Sequence, residues 1–126
     1  SVTSSVTLSD SLISAAFPYL HDNRYDLSFE IFKELYGKTR GIRRLGAAAL
    51  DLCFVAMGRF DAFYEFELKP WDICAGSLIV SEAGGIVSDW NGLKVPDSGV
   101  RILASNNKVH NEIIKVLKSE NYRIFY

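Results

Sequence analysis

P-W-D-I-C-A-G-S-L-I-V-S-E-A-G-G, residues 70–85, is the stretch that decides the fold. A proline at the entry and Asp72 in the first turn are helix-start features. Proline's missing N–H costs nothing there, and a carboxylate suits the positive end of the aligned peptide dipoles. Gly84-Gly85 supplies a residue able to take the left-handed conformation just past the last turn. Between these ends nearly every residue is apolar or small, which predicts a helix buried on most of its circumference. Asp72 then sits at the start of a buried helix, directly after a strand-like segment, where a charge is unusual.

Upstream, residues 60–68 alternate as a strand does. Phe60, Ala62, Tyr64, Phe66 and Leu68 point one way, and Asp61, Phe63, Glu65 and Glu67 the other. Residues 47–57 read as an alanine-rich helix ended by Gly58, and residues 41–45 as a brief extended segment broken by Gly46. The spacing of Leu27, Ile31 and Leu35 predicts a helix from about residue 26, with Gly37 as its stop. Residues 11–17 have the length and composition of a buried strand, and the alternation of valine with Ser/Thr in residues 1–7 predicts an edge or entering strand. Downstream come a strand at 85–90, a turn at Asn91-Gly92, a loop at 96–99 and a strand at 100–104. Asn106 or Asn107 can cap a last helix carrying Val109, Ile113, Val116 and Leu117, and residues 122–126 form an aromatic tail able to pack at an edge. Elements of these lengths predict an α/β domain: a mixed β-sheet, because of the hairpin-like turn at Asn91-Gly92, flanked by helices.

At 126 residues, 48% hydrophobic and 13% aromatic, the chain suits one folded domain with a substantial core. Fourteen basic and fifteen acidic residues leave a formal net charge of −1, which lacks the basic footprint of a nucleic-acid binder. No apolar run approaches the roughly 20 residues of a membrane-spanning helix. Cys53 and Cys74 lie within helical patterns, so buried reduced thiols in a cytoplasmic protein are expected. Met57 is the one methionine, so the chain does not open on a start residue, and either a removed segment or a fragment of a longer protein is expected.

Three places at element ends could carry chemistry, since α/β folds put ligands there. Asp72 reads either as a helix-start acid interacting with the dipole or as a ligand of a hard cation such as Mg²⁺, which is bound through one or two carboxylates plus phosphate and water. Glu65 and Glu67 read either as a solvated strand face or, for Glu65, as an acceptor for the hydroxyls of a polyol. Gly46-Ala47-Ala48 reads either as close packing or as open backbone N–H groups at a helix start. His21 and His110 lack spaced partners for a metal site.

Residues 71–85, W-D-I-C-A-G-S-L-I-V-S-E-A-G-G, closely resemble the C-terminal signature of the inositol monophosphatase family. The likeness extends through G-I-R-R-L-G-A-A-A-L-D-L-C at 41–53, F-D-A-F-Y-E at 60–65 and A-S-N-N at 104–107. The resemblance implies the C-terminal half of an α/β/α/β/α sandwich and a Mg²⁺-dependent phosphatase acting on small phosphate monoesters. In that family metal ions activate water, stabilise the phosphoryl group and assist the leaving oxygen. By position it implies Asp72 as a metal ligand close to substrate hydroxyls, Glu65 as a hydroxyl-binding residue, and Gly46, Ala47 and Ala48 as backbone lining the substrate pocket. Ala47 stands where some relatives carry a hydroxyl residue, and Glu67 where many carry glycine.

The family's first-half motifs, a G-E-E metal ligand and a D-P-[IL]-D-G-T segment, occur nowhere in the 126 residues. The expectation is therefore a C-terminal domain whose N-terminal metal-binding half is absent, with no complete catalytic set and negligible activity alone. A homo-oligomer or the missing half would be its partner, and a phosphorylated polyol such as myo-inositol monophosphate its substrate. A related phosphatase for a nucleotide 3′-phosphate, fructose bisphosphate or histidinol phosphate stands as the alternative, as does a non-catalytic assembly domain.

Overall fold

The structure, a computed structural model, describes residues 1–17, 22–96 and 101–125, with side chains as far as residue 122. Five strands form one mixed sheet: β1 (Leu12–Ala15), β2 (Gly41–Arg43), β3 (Ala62–Phe66), β4 (Ile86–Ser88) and β5 (Arg101–Ser105), in the order β2-β1-β3-β5-β4. β1 runs parallel to β2 and β3, whereas β5 is antiparallel to β3 and β4. The mixed sheet read from the Asn91-Gly92 turn is thus present. Four helices cover it: α1 (Asn23–Lys38), α2 (Ala48–Ala56), α3 (Pro70–Glu82) and α4 (His110–Leu117).

Two apolar clusters divide the helices between the faces. Ile31 and Leu35 of α1 and Ile113, Val116 and Leu117 of α4 pack with Ile13, Tyr64, Phe66 and Trp90. Leu52 and Val55 of α2 and Ile73 and Val80 of α3 pack with Phe63, Ile102 and Ala104. A strand covered on both faces needs apolar residues in both phases, which explains the near-continuous apolar runs of β1 and β5. Trp90 is fully buried, stacks edge-on against Tyr64 and Phe66, and donates its Nε1–H to the Ile102 carbonyl at 3.1 Å.

Several expectations are corrected. Residues 1–7 form no strand. Their hydroxyls and carbonyls serve as anchors instead: the Thr3 hydroxyl donates to the Asp61 carboxylate, and Asn106 Nδ2 donates to Thr3 Oγ1 at 3.0 Å and to the Ser5 carbonyl at 2.8 Å. β3 does not keep one alternation from 60 to 68. Glu67 takes a left-handed φ of 63°, the conformation that favours glycine, and Leu68 joins the opposite cluster from Phe66. The tail forms 3-10 turns over Glu120–Phe125, and Tyr122 is buried against α1, donating its hydroxyl to Glu34 at 2.6 Å. His21, residues 97–100 and Tyr126 lie outside the described residues.

The largest correction concerns α3. Only Ile73, Gly76 and Val80 are buried, while Trp71 is 78% exposed and Leu78 63% exposed. Cys74, expected to be buried, is exposed as well, and both cysteines are free. The helix is apolar all round because its sequence suits cover on two sides, and the described residues cover only the side facing the sheet. Met57, 58% exposed at the end of α2, and Leu50 extend the open apolar surface across the helix pair.

Candidate functional site

Each parallel strand leads from its carboxyl end into a helix: β1 into α1, β2 into α2 and β3 into α3. The starts of all three helices therefore gather at one rim of the sheet, with α1 leaving to one face and α2 and α3 to the other. Such a divergence at the carboxyl ends of strands is where α/β sheets receive ligands. Arg24 of α1 forms an ion pair with Glu67 after β3 and also meets Asp22 at 3.1 Å.

Asp72 stands in the first turn of α3. Its Oδ2 accepts from the Lys69 N–H at 2.9 Å, and the Asp72 N–H donates to the Lys69 carbonyl at 2.9 Å, so the side chain does begin the helix. The cap occupies one carboxylate oxygen and leaves the other. At the start of α2, Gly46 has a φ of 83° and Ala47 sits in an extended conformation with no side-chain hydrogen bond to the first turn. A hydroxyl residue at 47 would supply that cap; alanine leaves the N–H groups open at an exposed turn.

Glu65 lies on β3, on the face toward α2 and α3. It is half-buried, and its Oε2 is enclosed without a hydrogen-bond partner. Burial pushes its pKa up to about 7, helped by the negative charges of Asp51 and Asp72 and opposed by Arg44. Asp51, in the first turn of α2, is 0% exposed, and neither of its oxygens has a partner. Burial raises its carboxyl to about 6; the nearby Ser14 hydroxyl pulls the other way without aligning as a hydrogen bond. The structure thus brings Glu65, Asp72 and the 46–48 turn to one rim and adds Asp51 and Ser14, which sequence reasoning missed. A lone aspartate in the apolar run A-A-A-L-D-L-C was the available signal.

Whether these residues fit a metal ion can be tested on their geometry. Among the described residues no group of three or more His, Cys, Asp or Glu is placed to hold one. With one Asp72 oxygen committed to the helix cap, the side chains present offer a divalent cation one free carboxylate oxygen, a partial ligand set that suits only weak binding. His110 is not a ligand either. Ser88 Oγ donates to the Asp89 carbonyl at 2.7 Å, so at 2.7 Å from His110 it accepts the Nε2–H, and Nδ1 accepts from Ser105 at 2.8 Å. That buried ring is neutral, its pKa lowered by burial to about 4.

A groove of about 590 Å³ runs along the outer side of α3, lined by Ile73, Cys74, Leu78, Val87 and Val95 among others. Its described lining has no acidic residue, so it is separate from the acidic rim. No described helix is long and apolar enough to cross a membrane.

A three-layer α/β domain with acidic side chains and an uncapped helix start at the carboxyl rim is of the class in which small polar ligands are received at strand ends. A sequence profile of the inositol monophosphatase family matches residues 1–122, and the chain belongs to that family. The putative Nus factor SuhB of Neisseria meningitidis serogroup B is 47% identical over 118 residues, covering 94% of this chain and 45% of that protein. An inositol-1-monophosphatase of Synechocystis is 41% identical over 116 residues, covering 92% and 40% respectively. The solved inositol monophosphatase from Anabaena (Nostoc) superposes with a TM-score of 0.83 at 37% identity, over 93% of this chain and 46% of that one. The extragenic suppressor protein suhB from Bartonella henselae gives 0.87 at 35% identity, over 94% and 45%. The chain spans less than half the length of these relatives and corresponds to their C-terminal half.

Proposed function

We propose that this chain supplies one wall of the active site of a Mg²⁺-dependent phosphatase for small phosphate monoesters of polyols, myo-inositol monophosphate being the model substrate. The observation that carries the reading is the meeting of Glu65, Asp72 and the uncapped 46–48 turn at one rim, in a chain of the inositol monophosphatase family. Glu65 accepts a substrate hydroxyl, the backbone at Gly46, Ala47 and Ala48 lines the pocket, and Asp72 gives its uncommitted oxygen to Mg²⁺. The remaining ligands come from an N-terminal half that 1–126 does not contain, so the site is complete only in the longer protein. The free thiols accord with a cytoplasmic setting.

The open apolar surface of α2 and α3 is where that other half, or a second copy, would sit. Light scattering on purified 1–126 checks this part: association is expected, and a clean monomer would count against it. The reading of substrate and reaction is tested by phosphate release from myo-inositol 1-phosphate with Mg²⁺. The chain alone is expected to show no turnover above background, and enzyme-like rates would refute the half-site. A second reading, a domain used for assembly and not catalysis, is favoured by relatives that carry the name Nus factor and by the same open surface.

A further inference from the structure

The two glutamates at the end of β3 turn to opposite faces of the sheet. Phe63 packs under α2 and α3, so alternation puts Glu65 on that face and would put Glu67 there too. Instead Glu67 takes a φ of 63°, and beyond it Leu68 enters the cluster under α2 and α3 while Phe66 belongs to the opposite one. The phase of the strand slips by one residue at Glu67. Its carboxylate pairs with Arg24 of α1, a helix that packs on the other face of the sheet. Asp22 prepares Arg24 for that contact by dividing its two oxygens. Oδ1 accepts the Arg24 N–H at 2.9 Å and begins α1, and Oδ2 accepts from Arg24 Nη2 at 3.1 Å. The paired side chains of Arg24 and Glu67 are only 33% and 29% exposed. Glycine would take the left-handed φ without steric cost, so a glutamate here gives up backbone ease and gains a partner.

We propose that Arg24 and Glu67 are positioning residues for Asp72: their ion pair is a latch that pins the β3–α3 connection to the first turn of α1. The latch thereby holds the start of α3 where Asp72 presents its uncommitted oxygen. Only Leu68 separates Glu67 from Lys69, whose N–H donates to Asp72 Oδ2 at 2.9 Å. Leu68 is buried on one face of the sheet and Glu67 is held from the other, so the connection is gripped on both sides. Pro70 stiffens the next step, because its ring locks φ at the first residue of the helix. An ion pair that joins two elements, is partly shielded from water and is backed by a second carboxylate holds better than an isolated surface pair. Arg24 and Glu67 act on the site through Asp72. The part of this inference that concerns Mg²⁺ rests on the function proposed above; the latch itself does not.

Hydrogen exchange of the Lys69 amide in 1–126, followed by NMR, tests the latch. Glu67→Gln and Arg24→Met are each expected to speed that exchange about fivefold relative to the amides of β5. The double variant is expected to go no further, as for two partners of one contact. Glu67→Gly relieves the backbone but removes the carboxylate, and is expected to speed the exchange as well. Wild type in about 1 M salt, where charges are screened beyond about 3 Å, is expected to behave like the variants without any substitution. Unchanged exchange in the variants and at high salt would overturn the proposal, and so would additive effects in the double variant. Equal quickening at Lys69 and in β5 would overturn it too, because that is the mark of a pair that serves global stability alone. Mg²⁺ titration followed at the Asp72 amide then tests the use of the latch. Glu67→Gln is expected to weaken binding by up to the same factor, and quickened exchange with wild-type Mg²⁺ affinity would refute the positioning of Asp72. Quickened exchange with no Mg²⁺ response even in wild type would support the latch and refute the metal reading.

Discussion

Gly76→Ala is expected to lower the unfolding free energy by about 2 kcal/mol, while the same change at Gly37 leaves it level or raises it by up to about 1 kcal/mol. A Cβ at residue 76 would lie 2.6 Å from Leu52 Cδ1 and 2.7 Å from Leu52 Cβ. Leu52 is wholly buried, and its Cβ cannot swing aside, so α2 and α3 would have to separate. A Cβ at Gly37, near the end of α1, meets nothing within 4 Å and brings only alanine's better helix propensity. Denaturant unfolding of both variants against wild type measures the contrast. Equal effects at the two sites would show that helix propensity, not the α2–α3 contact, governs residue 76. The contact bears on function as well, because it sets how closely the first turns of α2 and α3, with Asp51 and Asp72, approach the strand ends.

Acidification from pH 6.5 to 4 is expected to remove about 2–3 kcal/mol of stability through His110 alone. Its folded-state pKa of about 4 lies below the ordinary histidine value of 6.5, so in that window the unfolded chain takes up a proton that the folded chain refuses. The contribution is complete above about pH 6.5, declines as the pH falls toward 4 and is gone below it. The reason is geometric: protonation would add a second ring donor toward Ser105, which now donates to Nδ1, inside a site that excludes water. Asp51 and Glu65 act in the opposite sense, since raised carboxyl pKa values favour the folded state as the pH falls. Unfolding curves at pH 5 and 7 for wild type and His110→Gln, compared as differences, isolate the histidine. An identical pH response in the two proteins would contradict the assignment.

Much of the architecture was legible because the local signals agree with one another. Pro70, Asp72 and Gly84 bound α3, and the apolar runs of β1 and β5 match strands covered on both faces. What a linear pattern cannot hold is what covers the outer side of a helix. α3 reads as enclosed because Trp71, Leu78 and Ile79 are apolar, yet no described residue buries them. Residues 1–7 misled for a related reason: strand alternation and hydroxyl anchors look alike until Asp61, which accepts from Thr3, and Asn106, which donates to it, are found about 60 and 100 residues away. At the site, Asp72, Glu65 and the 46–48 turn stand out by position and motif. Asp51 does not, because its meaning depends on Ser14 and Glu65 arriving from two other elements.

The claim that Asp72 is one ligand of a divided metal site is tested most directly by calorimetric titration of 1–126 with Mg²⁺, in wild type and Asp72→Asn. Asparagine keeps an oxygen for the Lys69 N–H, so the helix start survives while the charge is lost. A single weak site in wild type that vanishes in Asp72→Asn is the expected result. No Mg²⁺ heat in wild type, or the same heat in both proteins, would contradict it.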